Sequence, residues 1–387
     1  MTPANTQQRD REVALITWLH FAEGKPYEQI ADQLSISPRT VSRRLEEAKS
    51  RGWVVAKPVL NIPEQHLPRS ITRPAPEELR RLVDAWNPGA EVQVYVVEGD
   101  QHAYCHEAAN LLMPWLMAAM KVGVSWGRTL NGVIGAVCEE DQAPSLHAAW
   151  FETLPLCPEP LILQRNEQSL ELSSTQLAAK LGQLVQRTSN SGHQLRLSGV
   201  PAYLPRRMRD AMQMEGRDFF SGLSRDYCRL FVEDTDGRPR VDSADVMLTG
   251  CGELSDTREL TGTFIRERLA NEGGDLSEAR LRRCVLGDIS GILLPRETIS
   301  KADRQLVDSL NAGWLGVTQR QLQDCHRRHY EAKSAGVVLL TLGAGKARVV
   351  QQGIRMGMVS RIITDRQCAD AMLALASTDS RRRRSPK

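Results

Sequence analysis

The chain has 387 residues, 41% of them apolar and 25% charged, which is enough for two globular domains and excludes a fibrous or disordered body. Its 50 basic and 47 acidic residues leave a net charge of +3, so an argument for nucleic-acid binding must rest on a local segment. The sequence contains no apolar run of about 18 residues and no apolar leader, so we expect a cytoplasmic protein without a membrane partner.

Three short helices are predicted within residues 1–58. Apolar residues recur there at spacings of three and four, the pattern of amphipathic helices. These positions are Leu15, Leu19 and Ala22 in the first helix, Tyr27, Ile30, Ala31 and Leu34 in the second, and Val41, Leu45 and Ala48 in the third. Ser37 before Pro38 is typical of a helix start. Because only residues 35–37 separate the last two helices, residues 1–58 are predicted to form a helix-turn-helix domain.

The outer face of the third predicted helix is basic. Arginine can donate two hydrogen bonds to guanine in the major groove, and hydroxyl groups near a helix N-terminus suit phosphates. The predicted DNA contacts are Ser37, Arg39, Thr40, Ser42, Arg43 and Arg44. The partner that they predict is double-stranded operator DNA.

Residues 77–375 are predicted to form a large α/β effector domain. Short β-rich runs alternate there with amphipathic helices, which favours a mostly parallel sheet covered by helices. The clearest strands are Val92–Val97, Val246–Thr249, Val337–Thr341 and Arg361–Thr364. The proline-containing residues 59–76 are predicted to be a linker, and residues 376–387, which include Arg381–Arg384, a disordered basic tail.

Residues Lys121–Arg128, K-V-G-V-S-W-G-R, lead from a β-rich run into a predicted helix. The Ser125 hydroxyl, the Gly127 backbone and the Arg128 guanidinium would form an anion cradle at that helix N-terminus. The same letters also satisfy G-x-S-x-G, the nucleophile elbow of α/β-hydrolases, for which Asp245 and His326 are candidate partners.

Three further glycine-containing turns follow predicted strands: Thr249–Glu253, Gly287–Gly291 and Gly343–Lys346. The loops at the carboxyl ends of parallel strands are where open α/β sheets bind ligands. All three turns are therefore candidates for an effector site.

Two groups of residues have the spacing of metal ligands on a helix: His102, Cys105 and His106, and Cys325, His326 and His329. Neither group supplies a four-ligand set. We expect no metal and no cofactor.

Five stretches share their order and spacing with a known family. They read I-A-D-Q-L-S-I-S-P-R-T-V-S-R-R-L-E-E-A, V-G-V-S-W-G-R-T-L, V-M-L-T-G-C-G, G-D-I-S-G and I-R-M-G-M-V-S-R-I-I-T-D. Together they resemble the SorC family of sugar-responsive bacterial regulators. The resemblance implies an effector domain like ribose-5-phosphate isomerase and glucosamine-6-phosphate deaminase, with a phosphosugar held by the loops and commonly a tetramer on DNA.

By motif position, the resemblance also implies effector contacts in this chain. Ser125, Arg128 and Thr129 would contact the phosphate. The residues at the edge of the sugar would be Gly250, Cys251, Gly252 and Glu253. Those closing the site would be Gly343, Ala344, Gly345 and Lys346.

The sequence thus predicts a transcription regulator controlled by a phosphorylated sugar or related metabolite, acting as a homodimer or homotetramer and without catalytic residues. The alternative is a sugar-phosphate isomerase-like or deaminase-like enzyme that carries a DNA-targeting module. Turnover of sugar phosphates would distinguish the two, because a sensor binds its ligand without forming a product.

Overall fold

The structure, a computed structural model, describes residues 9, 12–17, 19–20, 25–34, 36–51, 73–139, 151–159, 171–186, 195–197, 199–212, 215–254, 272, 276–332 and 334–384. The chain divides into two compact units, residues 1–67 and residues 68–387. Most of the predicted linker, residues 59–72, and the end of the predicted tail, residues 385–387, lie outside the described residues.

The first unit contains the helices expected from the apolar spacing. Residues 12–17 and 19–20 are helical, followed by α1 (Tyr27–Leu34) and α2 (Pro38–Ser50). Their shared core consists of Ile16, Leu19, Ile30, Ala31, Val41 and Leu45. One predicted core position is wrong: Leu15 is 45% exposed, whereas Val13 and Ile16 are fully buried. The apolar face of the first helix is therefore offset from the predicted one, and the predicted position Ala22 lies outside the described residues.

The second unit alternates strands and helices along the chain. Its strands are β1 (Arg73–Pro74), β2 (Gln93–Val97), β3 (Lys121–Val124), β4 (Glu152–Pro155), β5 (Val246–Glu253), β6 (Val285–Ile289), β7 (Ile292–Pro295), β8 (Gly336–Thr341) and β9 (Arg361–Asp365). Its helices are α3 (Glu77–Trp86), α4 (Gln101–Ala118), α5 (Arg128–Glu139), α6 (Ser174–Gln186), α7 (Arg206–Met212), α8 (Gly216–Leu223), α9 (Arg225–Phe231), α10 (Glu278–Cys284), α11 (Lys301–Ala312), α12 (Gln319–Ala332), α13 (Ala347–Arg355) and α14 (Arg366–Arg384). Short 3-10 helices lie at Arg240–Ser243 and Ala344–Lys346.

Within the described part of the chain, the strands form one sheet in the order β1-β2-β9-β8-β5-β3-β4, with β6 paired to β5 and β7 paired to β6. From β2 to β4 every neighbouring pair is parallel, while β1 pairs antiparallel with β2. The expected mostly parallel sheet is confirmed, as are the four strands predicted from β-rich runs. In a parallel sheet the carboxyl ends of the strands lie along one edge, where the loops that follow them can meet.

Helices cover both faces of the sheet, so the central strands are buried on both sides. All six residues of β8 are buried, and their side chains alternate between two cores: Val338 and Leu340 in one, Leu339 in the other. Helices α4, α5 and α6 contribute to the first core, and α3, α13 and α14 to the second.

Two elements extend beyond their predicted ends. Strand β5 continues to Glu253 because its last residues leave the parallel sheet and pair antiparallel with β6, and Gly287 lacks a Cβ where the Gly252 carbonyl comes close. Helix α14 continues to Arg384, where the sequence predicts a disordered tail from residue 376. No helix among the described residues is both long and apolar enough to cross a membrane.

Candidate DNA-binding helix and effector site

The start of α2 is held by the predicted cap. The backbone N–H of Thr40 donates to Ser37 Oγ (3.1 Å), and the hydroxyl groups of Ser37 and Thr40 lie 2.9 Å apart. Pro38 occupies the first turn of the helix. Only residues 35–37 separate α1 from α2, and the two helices pack through Ile30, Ala31 and Leu45. These elements form a helix-turn-helix.

The outward face of α2 carries Arg39, Ser42 and Arg43, which are all exposed. Ser42 and Arg43 follow Arg39 by three and four residues, so all three lie on one side of the helix. Val41 and Leu45 are buried on the opposite side. The helix therefore presents two arginines and a hydroxyl group to solvent on a single face.

Arg44, a predicted DNA contact, points into the unit instead. Its guanidinium pairs with Glu12 (2.8 Å) and Glu47 (3.3 Å), and its side chain is only 12% exposed. Glu47 also pairs with Arg9 (3.0 Å) and Arg51. The hydrogen bond from Arg9 holds the pKa of Glu47 below its usual value, and the bond to Glu12 raises the pKa of Arg44. These ion pairs connect the first helix to α2. Arg44 is therefore paired with carboxylates in the absence of DNA.

In the second unit, the turn after β3 lies at the carboxyl edge of the sheet. Ser125 is fully buried; its N–H donates to the Leu248 carbonyl (2.9 Å) and its Oγ lies 3.4 Å from Cys157 Sγ. Gly127 has φ +127°, which side-chain-bearing residues rarely adopt. Helix α5 begins directly afterwards with Arg128, which is exposed, and Thr129, which is half-buried.

A second helix N-terminus, which the sequence reasoning missed, meets the same turn. Ser174 Oγ donates to the Val124 carbonyl (2.5 Å) and accepts from the Cys157 N–H (3.1 Å), and the Gly127 N–H donates to the carbonyl of residue 172 (3.2 Å). Ser173 caps α6 by accepting from the N–H of residue 176 (3.2 Å). Thr175 is buried, and its hydroxyl has no hydrogen-bond partner among the described residues.

The triplet Ser173–Thr175 before an amphipathic helix was the signal in the sequence for this start, since serine and threonine favour caps. The sequence did not indicate that this start lies beside Gly127. The structure brings the first turns of α5 and α6 together at the end of β3.

The ends of β5 and β8 complete the neighbourhood. A Cβ at Gly250 would be in ordinary van der Waals contact with the carbonyls of Trp126 and Leu340, so Gly250 lies beside the turns that follow β3 and β8. Gly345 has no room for a Cβ because the Glu253 carboxylate packs against it. Of the remaining predicted contacts, Gly252 and Lys346 are buried, Cys251 and Gly343 are half-buried, and Ala344 is exposed. The predicted effector residues are thus adjacent in two groups: the Gly127 turn with Gly250, and Glu253 with Gly345.

The β6–β7 hairpin supplies a buried polar layer next to Ser125. Asp288 accepts from the Gly291 N–H (2.8 Å), Ser290 Oγ lies 2.6 Å from Thr249 Oγ1, and Cys157 Sγ lies 3.6 Å from the Ser290 carbonyl. Burial raises the pKa of the Cys157 thiol to about 12, so this thiol is neutral. The Gly287–Gly291 turn therefore lies in a buried polar layer that is joined to Ser125 through Cys157.

The family model for sigma-70, region 4, matches residues 17–51, which include α1 and α2. The whole chain is similar to the full-length sorbitol operon regulator SorC from Klebsiella pneumoniae, with 17% identity, 94% of this chain and 98% of that chain covered, and a TM-score of 0.49. Comparison with curated proteins gives no match.

Two further solved structures are similar to about three quarters of the chain. A probable sor operon regulator from Shigella flexneri has 16% identity, covers 76% of this chain and 98% of that chain, and has a TM-score of 0.47. A putative sugar-binding domain of a transcriptional repressor from Vibrio fischeri has 15% identity, covers 78% and 100%, and has a TM-score of 0.45. At these TM-scores, the likenesses do not by themselves assign a function to this chain.

The nucleophile-elbow interpretation is contradicted by the positions of its candidate partners. Asp245 accepts the N–H groups of Met120 (2.8 Å) and Lys121 (2.9 Å) at the start of β3, and His326 Nδ1 lies 3.1 Å from Ser360 Oγ before the start of β9. Both therefore lie at the amino edge of the sheet, whereas Ser125 is buried at the carboxyl edge. Among the described residues, no group of three or more His, Cys, Asp or Glu side chains could hold a metal.

Proposed function

We propose that the chain is a DNA-binding transcription regulator whose second unit senses a phosphorylated sugar or a related metabolite. The observation that carries the sensing role is the meeting of the α5 and α6 N-termini at Gly127. Each helix N-terminus has unsatisfied N–H groups and a partial positive charge of about half an elementary charge, which together favour an anion. Two such termini at one turn are a binding site for a phosphate group.

The phosphate would be held by the first-turn N–H groups of both helices, the Arg128 guanidinium and the hydroxyl groups of Thr129 and Thr175. Ser125 is buried behind the turn and would orient it. The sugar would extend along Gly250, Cys251, Gly252 and Glu253, and Gly343, Ala344, Gly345 and Lys346 would close the site. No chemical step on the ligand is required for this role.

The DNA-binding role is supported by the exposed face of α2. With the helix in the major groove, Arg39 and Arg43 would contact bases, each good arginine–guanine pair contributing about 1–3 kcal/mol of discrimination. Ser42 and the capped start at Ser37 and Thr40 would contact phosphates. Arg44 is excluded from these contacts because it holds Glu12 and Glu47.

A regulator of this kind acts as a homodimer or homotetramer in the cytoplasm. Two recognition helices bind half-sites about one helical turn of DNA apart, and a ligand can change how the subunits are arranged. The effector would then act by favouring one arrangement over the other.

The test uses the full chain. Duplex sequences selected from random DNA identify an operator, and a panel of sugar phosphates is screened by thermal shift, since a ligand at a hundred times its dissociation constant stabilises the folded state by about 2.7 kcal/mol. We expect one sugar phosphate to stabilise the protein and to change operator affinity, without product. No preference for any duplex, or turnover of the ligand, would contradict the proposal.

A further inference from the structure

The motif I-I-T-D at the end of β9 is not part of the proposed effector contacts, although it ends at the same edge of the sheet. Asp365 is the last residue of β9. Its carboxylate accepts the Gly343 N–H through both oxygens (3.1 Å each) and the Cys368 N–H through Oδ1 (3.0 Å). One side chain thus connects the turn after β8 with the first turn of α14.

The turn that Asp365 holds depends on this support. Gly343 has φ +92° and ψ 147°, a conformation open to glycine and strained for other residues. Beside it, Thr341 Oγ1 donates to Thr364 Oγ1 (2.8 Å), so the ends of β8 and β9 are joined by side chains as well as by backbone. Strand β9 therefore fixes the direction in which the Gly343–Lys346 turn leaves the sheet.

Lys346 follows this turn and is only 8% exposed. Burial raises the pKa of the Cys368 thiol, and the Lys346 ammonium group is among the neighbours that oppose this rise. The ammonium group accordingly lies near the start of α14. On the other side of the turn, the Glu253 carboxylate packs against Gly345.

We propose that Asp365 is a positioning residue of the effector site: it holds the Gly343–Lys346 turn against α14, so that effector affinity depends on a carboxylate that does not touch the effector. This inference rests on the proposed function.

Asp100 offers a matched control. It follows β2, the strand next to β9 in the sheet, and caps α4 by accepting the Ala103 N–H (2.9 Å). Asp100 therefore caps a helix at the same edge of the sheet, as Asp365 does, but it lies outside the predicted site. Serine is as good a cap as aspartate but has a single side-chain oxygen.

The experiment compares Asp365→Ser with Asp100→Ser in the full chain. The probes are inorganic phosphate and the sugar phosphate with the largest thermal shift for the wild type, measured by titration calorimetry. We expect Asp365→Ser to weaken sugar-phosphate binding by about tenfold or more, and Asp100→Ser by less than about twofold, with similar melting temperatures. Gly343→Ala should weaken binding to a similar degree, and the double variant Asp365→Ser/Gly343→Ala no further, because both act through one turn.

Wild-type affinity in Asp365→Ser, or an equal loss in Asp100→Ser, would overturn the inference. Additive losses in the double variant would do the same, because they would place the two residues in separate roles. A failure of the proposed function is a different result: the wild type would bind none of the sugar phosphates.

Discussion

At the amino edge of the sheet, polar side chains are hydrogen-bonded to the backbone and to other side chains. Asp245 holds two N–H groups, Ser360 lies between the Val337 N–H (3.1 Å) and His326, and the Arg361 guanidinium is bonded to Gln93 (3.0 Å) and to the carbonyl of residue 334 (3.0 Å). At the carboxyl edge, the N-termini of α5 and α6 lie together. Arg128 is exposed there, and the buried Thr175 hydroxyl has no hydrogen-bond partner among the described residues.

A buried hydroxyl without a hydrogen bond costs stability, so such groups mark places where a ligand can supply the missing partner. The edges therefore differ at the Gly127 turn: its exposed arginine and buried threonine hydroxyl can bind a ligand, whereas the hydrogen-bonded polar groups of either edge stabilise the fold. The same contrast occurs on α2, between the exposed Arg43 and the engaged Arg44.

The largest effect is expected for Arg128→Ala/Lys346→Ala at the carboxyl edge. Charge-assisted hydrogen bonds are worth about 1.5–3 kcal/mol each, so losing two should weaken sugar-phosphate binding at least a hundredfold, or about 3 kcal/mol. Calorimetry measures this loss. Operator affinity without ligand should be unchanged.

Lys301→Ala/Arg304→Ala on α11 is the matched control, since it removes the same charges from exposed positions on another helix. If it weakened ligand binding equally, the effect would be one of net charge and the carboxyl edge would have no special role.

At the amino edge, the expected effect is on stability and depends on pH. Burial lowers the pKa of His326 from 6.5 to about 4, so below pH 6.5 the unfolded chain binds the proton more tightly than the folded chain. Stability should fall as the pH is lowered from 6.5 to 4, by about 3 kcal/mol from this residue. Burial also lowers the pKa of His329, which adds a change of the same sign.

Urea unfolding between pH 4 and pH 7.5 measures this dependence. His326→Asn, whose amide group can replace Nδ1 as the hydrogen-bond partner of the Ser360 hydroxyl, should show a shallower decline. An equally steep decline in that variant would assign the effect to other groups.

On α2, Arg43→Ala and Arg44→Ala should have opposite consequences. Arg43→Ala should weaken binding to the selected operator by about 1–3 kcal/mol without changing the melting temperature. Arg44→Ala should destabilise the first unit by about 1 kcal/mol, because it removes the guanidinium that pairs with Glu12, while Glu47 keeps Arg9 and Arg51. Fluorescence anisotropy and thermal melts distinguish the two; a reversal of these results would place Arg44 on the DNA.

The smallest effects compare two buried threonines. Thr175→Val should leave stability unchanged or slightly higher, because it removes a buried hydroxyl that has no hydrogen-bond partner among the described residues. It should weaken sugar-phosphate binding by about fivefold to tenfold, because the ligand loses a hydrogen bond to this hydroxyl. Thr341→Val should cost about 1 kcal/mol of stability, since Thr341 Oγ1 donates to Thr364. Lower stability in Thr175→Val would mean that its hydroxyl is already bonded, and would remove the distinction between the two threonines.

Much of the fold could be predicted from the sequence because its signals are local. The cap at Ser37, the apolar spacing of α1 and α2 and the β-rich runs each depend on residues within about two helical turns of one another. The first helix shows the limit of such patterns: Leu15 has the right spacing, but the core that decides which face is buried is built by α1 and α2.

The candidate site was predicted only in part, for a similar reason. Glycine turns after strands were visible, and the parallel sheet places them at one edge. The meeting of α6 with the Gly127 turn was not visible, since Ser174 reaches Val124 across 50 positions of the chain. Asp365 belongs to the motif I-I-T-D, but its hydrogen bond to the Gly343 N–H forms only because β8 and β9 are neighbours in the sheet.

The sequence by itself determined the elements and their polarity: a capped basic helix after a tight turn, and strands followed by glycine turns. Only the tertiary structure decided which polar groups were left to bind a partner. Arg44 is paired because Glu12, which is distant in the sequence, lies beside it in the fold, whereas the Thr175 hydroxyl has no such neighbour among the described residues. The free energy that each side chain can contribute to binding depends on those neighbours.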